Sequence, residues 1–268
     1  MNPSLLQVLR CTSGCRNELE LHAAKDAGDE KIISGFLRCT DCGREYQIDD
    51  GIVRMLPESL CGNCLPQDEL SRNAAAQKLS EMQARDAQVE DYDRMWYLNL
   101  FGKLEIPLTL SHLTPRKSHM LLEAGCGTGR MTRTFANKCR RLVSADFSLE
   151  SLKACSGKLN DAGIDNVDLI QADICHLPLS TSVFDRVVSC QVLEHIPTPE
   201  SRACAVSELS RVMKDNGKLV LSAYQHSVIT RLFGEKEGQH DGGIYFYRFA
   251  RKELKALLSR TLEVETIT

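Results

Sequence analysis

The sequence predicts an α/β protein: a doubly wound, mainly parallel sheet with helices on both faces, preceded by a small β-type module. Three observations carry this reading. Apolar strand-like runs at 119–123, 141–145, 167–171, 186–190 and 218–222 alternate with helix-like stretches at 130–139, 149–162 and 200–215, the pattern of a parallel sheet. The first of those strands runs into Glu123-Ala124-Gly125-Cys126-Gly127-Thr128-Gly129 and then a helical pattern, the opening of a nucleotide-binding βαβ unit. Ahead of all this, cysteines come in close pairs.

Bulk composition narrows the class. The chain has 268 residues, 43% hydrophobic and 26% charged, with a formal net charge of −3. This is an ordinary globular composition, and it supplies no global field that would draw the chain to nucleic acid. The first residues lack the basic and long apolar regions of a signal peptide. No run reaches the roughly 18 apolar residues of a membrane span, so the expected location is cytoplasmic.

In chain order, residues 1–60 form the small module. Cys11-x3-Cys15 and Cys39-x2-Cys42 are separated by 23 residues, with strand-like runs at 18–22, 32–38 and 44–48. Two thiolate pairs on facing turns give an S₄ donor set suited to structural zinc, and a metal would replace the core that so short a segment lacks. Four unligated buried thiols are the competing reading. The run Leu37-Arg38-Cys39-Thr40-Asp41-Cys42-Gly43-Arg44-Glu45-Tyr46 through Pro57 resembles the second half of a Trm112-like zinc ribbon. Gln47 stands where that family usually has proline, and the first knuckle is stretched by one residue. The resemblance implies a ribbon fused to, or activating, a methyltransferase. Cys61-Gly62-Asn63-Cys64 has no fourth pair and reads as a linker turn, with a redox dithiol or alternative metal pair as the other possibility.

Residues 61–105 are expected to form a linker and a helical segment that, by the methyltransferase resemblance set out below, covers the cofactor. The stretch 67–102 is rich in Ala, Glu, Gln, Met and Arg and poor in β-branched residues, which favours helix. It carries Tyr92 and Trp96, aromatics that either cover a ligand or fasten the helix to the core.

Residues 106–268 form the large domain. A dinucleotide fingerprint would need a third glycine at 130, where the chain has Arg130. The pattern present, Glu-x-Gly-x-Gly-x-Gly, resembles motif I of the class I S-adenosylmethionine-dependent methyltransferases, with a Rossmann-like sheet. A carboxylate at the strand end suits a cofactor that carries a sulfonium and an ammonium but no pyrophosphate. Asp146, 17 residues after Gly129, is placed to accept from ribose hydroxyls; Phe147 follows it, and Ser148 is a natural N-cap. The resemblance implies that Asp173 receives the adenine amine and that the Ile174 backbone reads the ring. Cys190-Gln191-Val192-Leu193-Glu194-His195-Ile196 resembles the ubiquinone/menaquinone-biosynthesis-like group of that class, in which Gln191 lines the methionine end and the Glu-His pair shapes the loop.

His195 is the candidate general base, since imidazole titrates near neutral pH; His226 borders the expected acceptor pocket with Tyr224, His240 and the aromatic run 245–249. A helix over 251–260 and a sixth strand over 262–268 complete the pattern. Asn216-Gly217 is expected to stop the helix before the fifth strand. The seventh, antiparallel strand of the resembling fold is not found within these residues.

The expected activity is methyl transfer from S-adenosylmethionine to a small-molecule acceptor. Two alternatives stand beside it: an RNA base methyltransferase, because the resemblance implies a zinc ribbon ahead of this fold as in such enzymes and Arg130, Arg133, Lys138, Arg140 and Arg141 form a local cluster, and a non-catalytic cofactor-binding partner protein.

Overall fold

The computed structural model describes residues 1–23, 31–61, 69–92, 96–240 and 242–268. Strands β1 (Leu19–Ala23), β2 (Gly35–Cys39), β3 (Glu45–Asp49) and β4 (Ile52–Arg54) form an antiparallel meander. Helices α1 (Glu69–Tyr92) and α2 (Trp96–Leu113) follow. Then come β5 (Met120–Ala124), α3 (Thr132–Ala136), β6 (Arg141–Asp146), α4 (Leu149–Asp161), β7 (Val167–Gln171), β8 (Phe184–Cys190), α5 (Pro199–Val212) and β9 (Met213–Ser222). A short helix α6 (Val228–Phe233), a hairpin of β10 (Glu237–Gln239) and β11 (Tyr245–Tyr247), and α7 (Arg251–Leu258) end the ordered elements.

The parallel core has the order β7-β6-β5-β8-β9. Its strands are near-continuous apolar runs because both faces are covered: Leu121, Leu142 and Val188 pack beneath Phe135, whereas Leu122, Val143, Ile170 and Val187 face the other way. The expected sheet is thus present. The N-terminal meander is continuous with it. β4 pairs in parallel with β7, Val53 opposite Ile170 and Arg54 opposite Gln171, giving nine strands in one sheet. A second seam lies at Leu9, which bridges Leu179, while the Arg10 N–H donates to the Pro178 carbonyl and the Ser180 N–H to the Val8 carbonyl. The segment 170–180 is therefore held at both ends by the N-terminal module.

Three expectations on the elements are corrected. The helix predicted over 130–139 spans only Thr132–Ala136, because Asn166 Nδ2 takes the Ala136 carbonyl at 3.0 Å and the Cys139 carbonyl at 3.3 Å. Asn216-Gly217 does not stop α5. That helix ends at Val212, whose carbonyl accepts the Val183 N–H, and the Asn-Gly pair lies in an irregular stretch of β9 where the register against β8 shifts. Residues 262–268 form no strand; Leu262 and Val264 pack on the α5–α7 cluster, and no ladder bonds hold the segment. Among the described residues no helix is long and apolar enough to cross a membrane.

Candidate active site and metal centre

The carboxyl ends of β5, β6, β7 and β8 open on one cavity of about 1280 Å³, part of it continuous with solvent. The turn after β5 is its floor. The Gly125 and Cys126 N–H groups both donate to the Ala145 carbonyl, at 2.8 and 3.1 Å, which tucks the turn against β6. Gly125 has φ of +84°, and a Cβ there would lie 2.1 Å from Val192 Cγ2. Gly127, at φ +53°, meets nothing within 4 Å in that direction. It lines the cavity, so its missing side chain leaves room for a ligand against the backbone. Gly129 is not on the cavity wall; it lies against Cys155 of α4.

Three strand-end carboxylates converge on this floor. Glu123 is buried, and its Oε2 accepts from Thr132 Oγ1 at 2.7 Å and Ser144 Oγ at 2.9 Å; burial nevertheless pushes its carboxyl up to about 7. Asp146 accepts the Gly127 N–H at 2.7 Å and the Ser148 N–H at 2.9 Å, and burial raises it as well. At the third position, Asp173, burial would raise the carboxyl, but the Lys78 ammonium at 2.6 Å and His176 at 3.3 Å hold it well below the usual carboxylate range. Desolvated carboxylates that face a cavity favour a cationic occupant. With the open glycine cradle, this set fits a sulfonium-bearing nucleoside.

Phe147, Ile174, Gln191 and His195 also line the cavity. Gln191 adopts φ of +56°, a conformation uncommon outside glycine and often found at ligand sites. Its side-chain amide donates to Glu105 of α2, and Glu105 also receives Arg130 at 2.7 Å and Ser222 Oγ at 2.6 Å. The Nδ1–H of His195 donates to the Tyr245 carbonyl at 2.7 Å, which fixes the tautomer and leaves Nε2 with its lone pair. Burial pushes this imidazole down to about 3, with Arg85 adding to the effect. His195 is thus a neutral hydrogen-bond acceptor at neutral pH, and its low basicity makes it a weak proton acceptor. The neighbouring Glu194 has no exposed surface, and neither of its carboxylate oxygens reaches a donor among the described residues. His226 is not among the residues that line the cavity; its backbone N–H donates to the Phe249 carbonyl at 2.8 Å. The side chains of Tyr92 and Trp96 lie outside the described residues.

The particular residues of the roof are ones the sequence reading did not single out. Lys78, Glu81, Arg85, Gln88 and Val89 of α1 line the cavity at intervals of three to four, one face of a helix. Glu81 is pushed up to about 7 by burial, against the pull of Arg85 at 3.4 Å. A stripe of charged residues ordinarily marks a solvated face; here it faces inward, which the helical spacing of those charges does not by itself reveal.

Away from the cavity, the sulfurs of Cys11, Cys15, Cys39 and Cys42 lie within 4.8 Å of one another. Neighbouring Sγ···Sγ distances are 3.6, 3.6 and 3.7 Å. A tetrahedron of thiolates at the usual Zn–S bond length of about 2.3 Å has edges of about 3.8 Å, so the donor set fits zinc with no position left open. Cys61 is exposed and 3.9 Å from an Arg44 nitrogen; Cys64 lies outside the described residues.

Residues 122–221 match the family described as a methyltransferase domain. A putative methyltransferase of Encephalitozoon cuniculi is 35% identical over 112 residues, 41% of this chain and 48% of that protein. The demethylmenaquinone methyltransferase of Thermobifida fusca is 26% identical over 118 residues, 44% of this chain and 49% of that one. The chain thus spans about half the length of these curated relatives. Among solved structures, the DhpI–SAH complex superimposes with a TM-score of 0.54 at 19% identity, covering 68% of this chain and 85% of its own. A [4+2]-cyclase, SpnF, reaches 0.50 at 20% identity over 60% of this chain and 56% of its own. Sheet order, glycine turn and sequence match agree on one region: residues 122–221 match a methyltransferase domain, on a sheet with the fold of these solved structures.

Proposed function

We propose that the chain is an S-adenosylmethionine-dependent methyltransferase that transfers the methyl group to a small-molecule acceptor, with a structural zinc in its N-terminal ribbon. The observation that carries this reading is the convergence of Glu123, Asp146 and Asp173 on one cavity above an open glycine cradle. Asp146 would hold the ribose, Asp173 the adenine amine, and Glu123 with Gln191 the amino-acid end. The cofactor supplies a methyl carbon already activated by the sulfonium. The chain's share is alignment, which is worth roughly 7–11 kcal/mol when geometry is right. With its Nδ1–H held by the Tyr245 carbonyl, His195 has Nε2 arranged to accept a hydrogen bond from a hydroxyl or amine and so to orient it. Zinc, coordinated by Cys11, Cys15, Cys39 and Cys42, would have no open position and hence a structural role.

One observation weighs against the RNA alternative. Arg130 is engaged by Glu105 and Arg141 by Asp168 at 2.6 Å, so two of the five clustered cations turn inward to carboxylates. The SpnF likeness, to a cyclase, shows the fold alone, since one fold serves unrelated chemistries; the non-catalytic alternative is separated by turnover. Calorimetric titration of zinc-replete protein with S-adenosylhomocysteine tests the proposal. Micromolar or tighter binding is expected, and absence of binding would sink it. Turnover on a small acceptor then separates enzyme from binding protein, and an affinity for RNA that falls steeply with salt would revive the RNA reading.

A further inference from the structure

Lys78 of α1 donates to Asp173 Oδ2 at 2.6 Å, and both side chains are largely buried, at 14% and 7% exposed. The same oxygen receives His176 Nδ1 at 3.3 Å, and Oδ1 receives the Cys175 N–H at 3.0 Å. A carboxylate oxygen accepts at two lone pairs, so Oδ2 is fully engaged by Lys78 and His176. Eight residues on, about 12 Å along the helix, Asp86 makes a second attachment. Its Oδ1 accepts from Ser148 Oγ at 2.5 Å and from the Glu150 N–H at 3.3 Å, at the N-terminus of α4.

Between these two points α1 presents Glu81 and Arg85 to the cavity, and its apolar fastening is slight. Ala75 is buried with Leu56 and Leu60, and Leu79, Met82 and Phe147 are half-buried around them. Among the described residues, this 24-residue helix is fastened by a small apolar contact and by side-chain attachments that include Lys78–Asp173 and Asp86–Ser148, which puts it at the low-stability end of the fold.

We propose that Lys78 is a latch on the cofactor site: it closes α1 over the cavity by occupying the carboxylate that an adenine amine would need, and it must leave Asp173 for the nucleoside to bind. The inference rests on the cofactor reading above. Nucleoside and lysine compete for one acceptor, so cofactor affinity includes the free energy of breaking the Lys78–Asp173 pair. Removing the ammonium removes that cost. The Asp86 attachment stays in place, so α1 can still cover a bound ligand.

The test compares S-adenosylhomocysteine affinity by calorimetry in the wild type, Lys78→Met and Lys78→Arg, with amide hydrogen exchange of residues 74–84 in the ligand-free proteins. Lys78→Met should bind roughly three- to tenfold more tightly, the range of a partly buried ion pair, and its α1 amides should exchange faster. Lys78→Arg should stay near the wild type in both. Lys78→Gln guards against a folding defect specific to methionine and should follow Lys78→Met. Unchanged or weaker binding in Lys78→Met and Lys78→Gln, with the wild type binding, overturns the latch and leaves the cofactor reading intact. Binding by these two variants alone would be the latch in its strongest form. No binding by any of the proteins removes the cofactor reading and the latch with it.

Discussion

The floor and the roof of the cavity are built from the same kinds of residue and held in different ways. On the floor, Asp146 accepts two backbone N–H groups, and the glycine turn hangs from the Ala145 carbonyl. These partners belong to strand ends, whose positions are set by a sheet buried on both faces. On the roof, Lys78 and Asp86 reach across to Asp173 and Ser148 by side chain alone. The floor is therefore pre-organised, and the roof is conditional on which charges are present. The comparison teaches where sensitivity lies: floor substitutions should damage both fold and binding, and roof substitutions should shift binding at little cost to the fold.

The largest effect is expected at Gly125. An alanine there must relieve a 2.1 Å approach to Val192 Cγ2 and a φ of +84°, at about 3 kcal/mol or more. Gly125→Ala should melt well below the wild type and lose detectable S-adenosylhomocysteine binding. Wild-type melting would mean that the turn is looser than the floor description allows. Asp146→Ala comes next. It strips the Gly127 and Ser148 N–H groups of their acceptor as well as the ribose of its partner, so affinity should fall about a hundredfold, at a cost of about 1–3 kcal/mol for each buried donor left unpaired. Unchanged affinity in the calorimeter would remove Asp146 from the site.

Much of the floor is legible in the sequence because its residues sit where period and punctuation agree. Each of Glu123, Asp146 and Asp173 closes an apolar run and precedes a turn or cap, so position along the strand already says which way the group faces. The pairs Cys11/Cys15 and Cys39/Cys42 are legible because two close pairs on facing turns can bring four sulfurs together, here within 4.8 Å of one another. The roof is not legible in this way. Lys78, Glu81 and Arg85 follow helical spacing, but period alone does not say whether a polar stripe faces solvent or a cavity lined by opposite charges. Nor does local sequence show that Ile52–Arg54 adds to the edge of the parallel sheet, because that pairing joins residues more than a hundred positions apart. The strand expected at 262–268 fails for the same physical reason. Alternation is present there, but the neighbour that would complete the ladder is not.

The third test sits between floor and roof. Residues 170–180 carry Ala172, Asp173, Ile174 and Leu177 of the cavity wall and are fastened by the N-terminal module at both ends. Met55 N–H donates to the Gln171 carbonyl at 2.8 Å, and Arg10 N–H to Pro178 at 2.9 Å, one residue before Cys11. If zinc organises that module, stripping it with a chelator should weaken S-adenosylhomocysteine binding by about tenfold, or about 1.4 kcal/mol, and re-addition should restore it. Metal analysis should give one zinc per chain. Equal affinity with and without metal would show that the wall stands on the parallel sheet alone.

The smallest effect on binding, and the most pH-dependent effect on stability, belongs to Glu194. Burial raises its carboxyl from an ordinary 4.5 to about 8, so the folded chain keeps a proton that the unfolded chain releases. The stability contributed by this group is complete below the unfolded value and is lost as pH rises toward the folded one. Glu194→Gln keeps the shape and the neutral state but cannot ionise. It should melt close to the wild type near about pH 5 and be more stable by about 1–3 kcal/mol near about pH 8, a gain of several degrees, with S-adenosylhomocysteine affinity changed less than about twofold. Glu123 and Glu81, both raised to about 7, titrate alike in the two proteins and cancel in the comparison. A pH-independent difference would show that Glu194 finds a cationic partner in solution. A large loss of affinity would place it on the floor with Glu123, rather than behind the loop that carries His195.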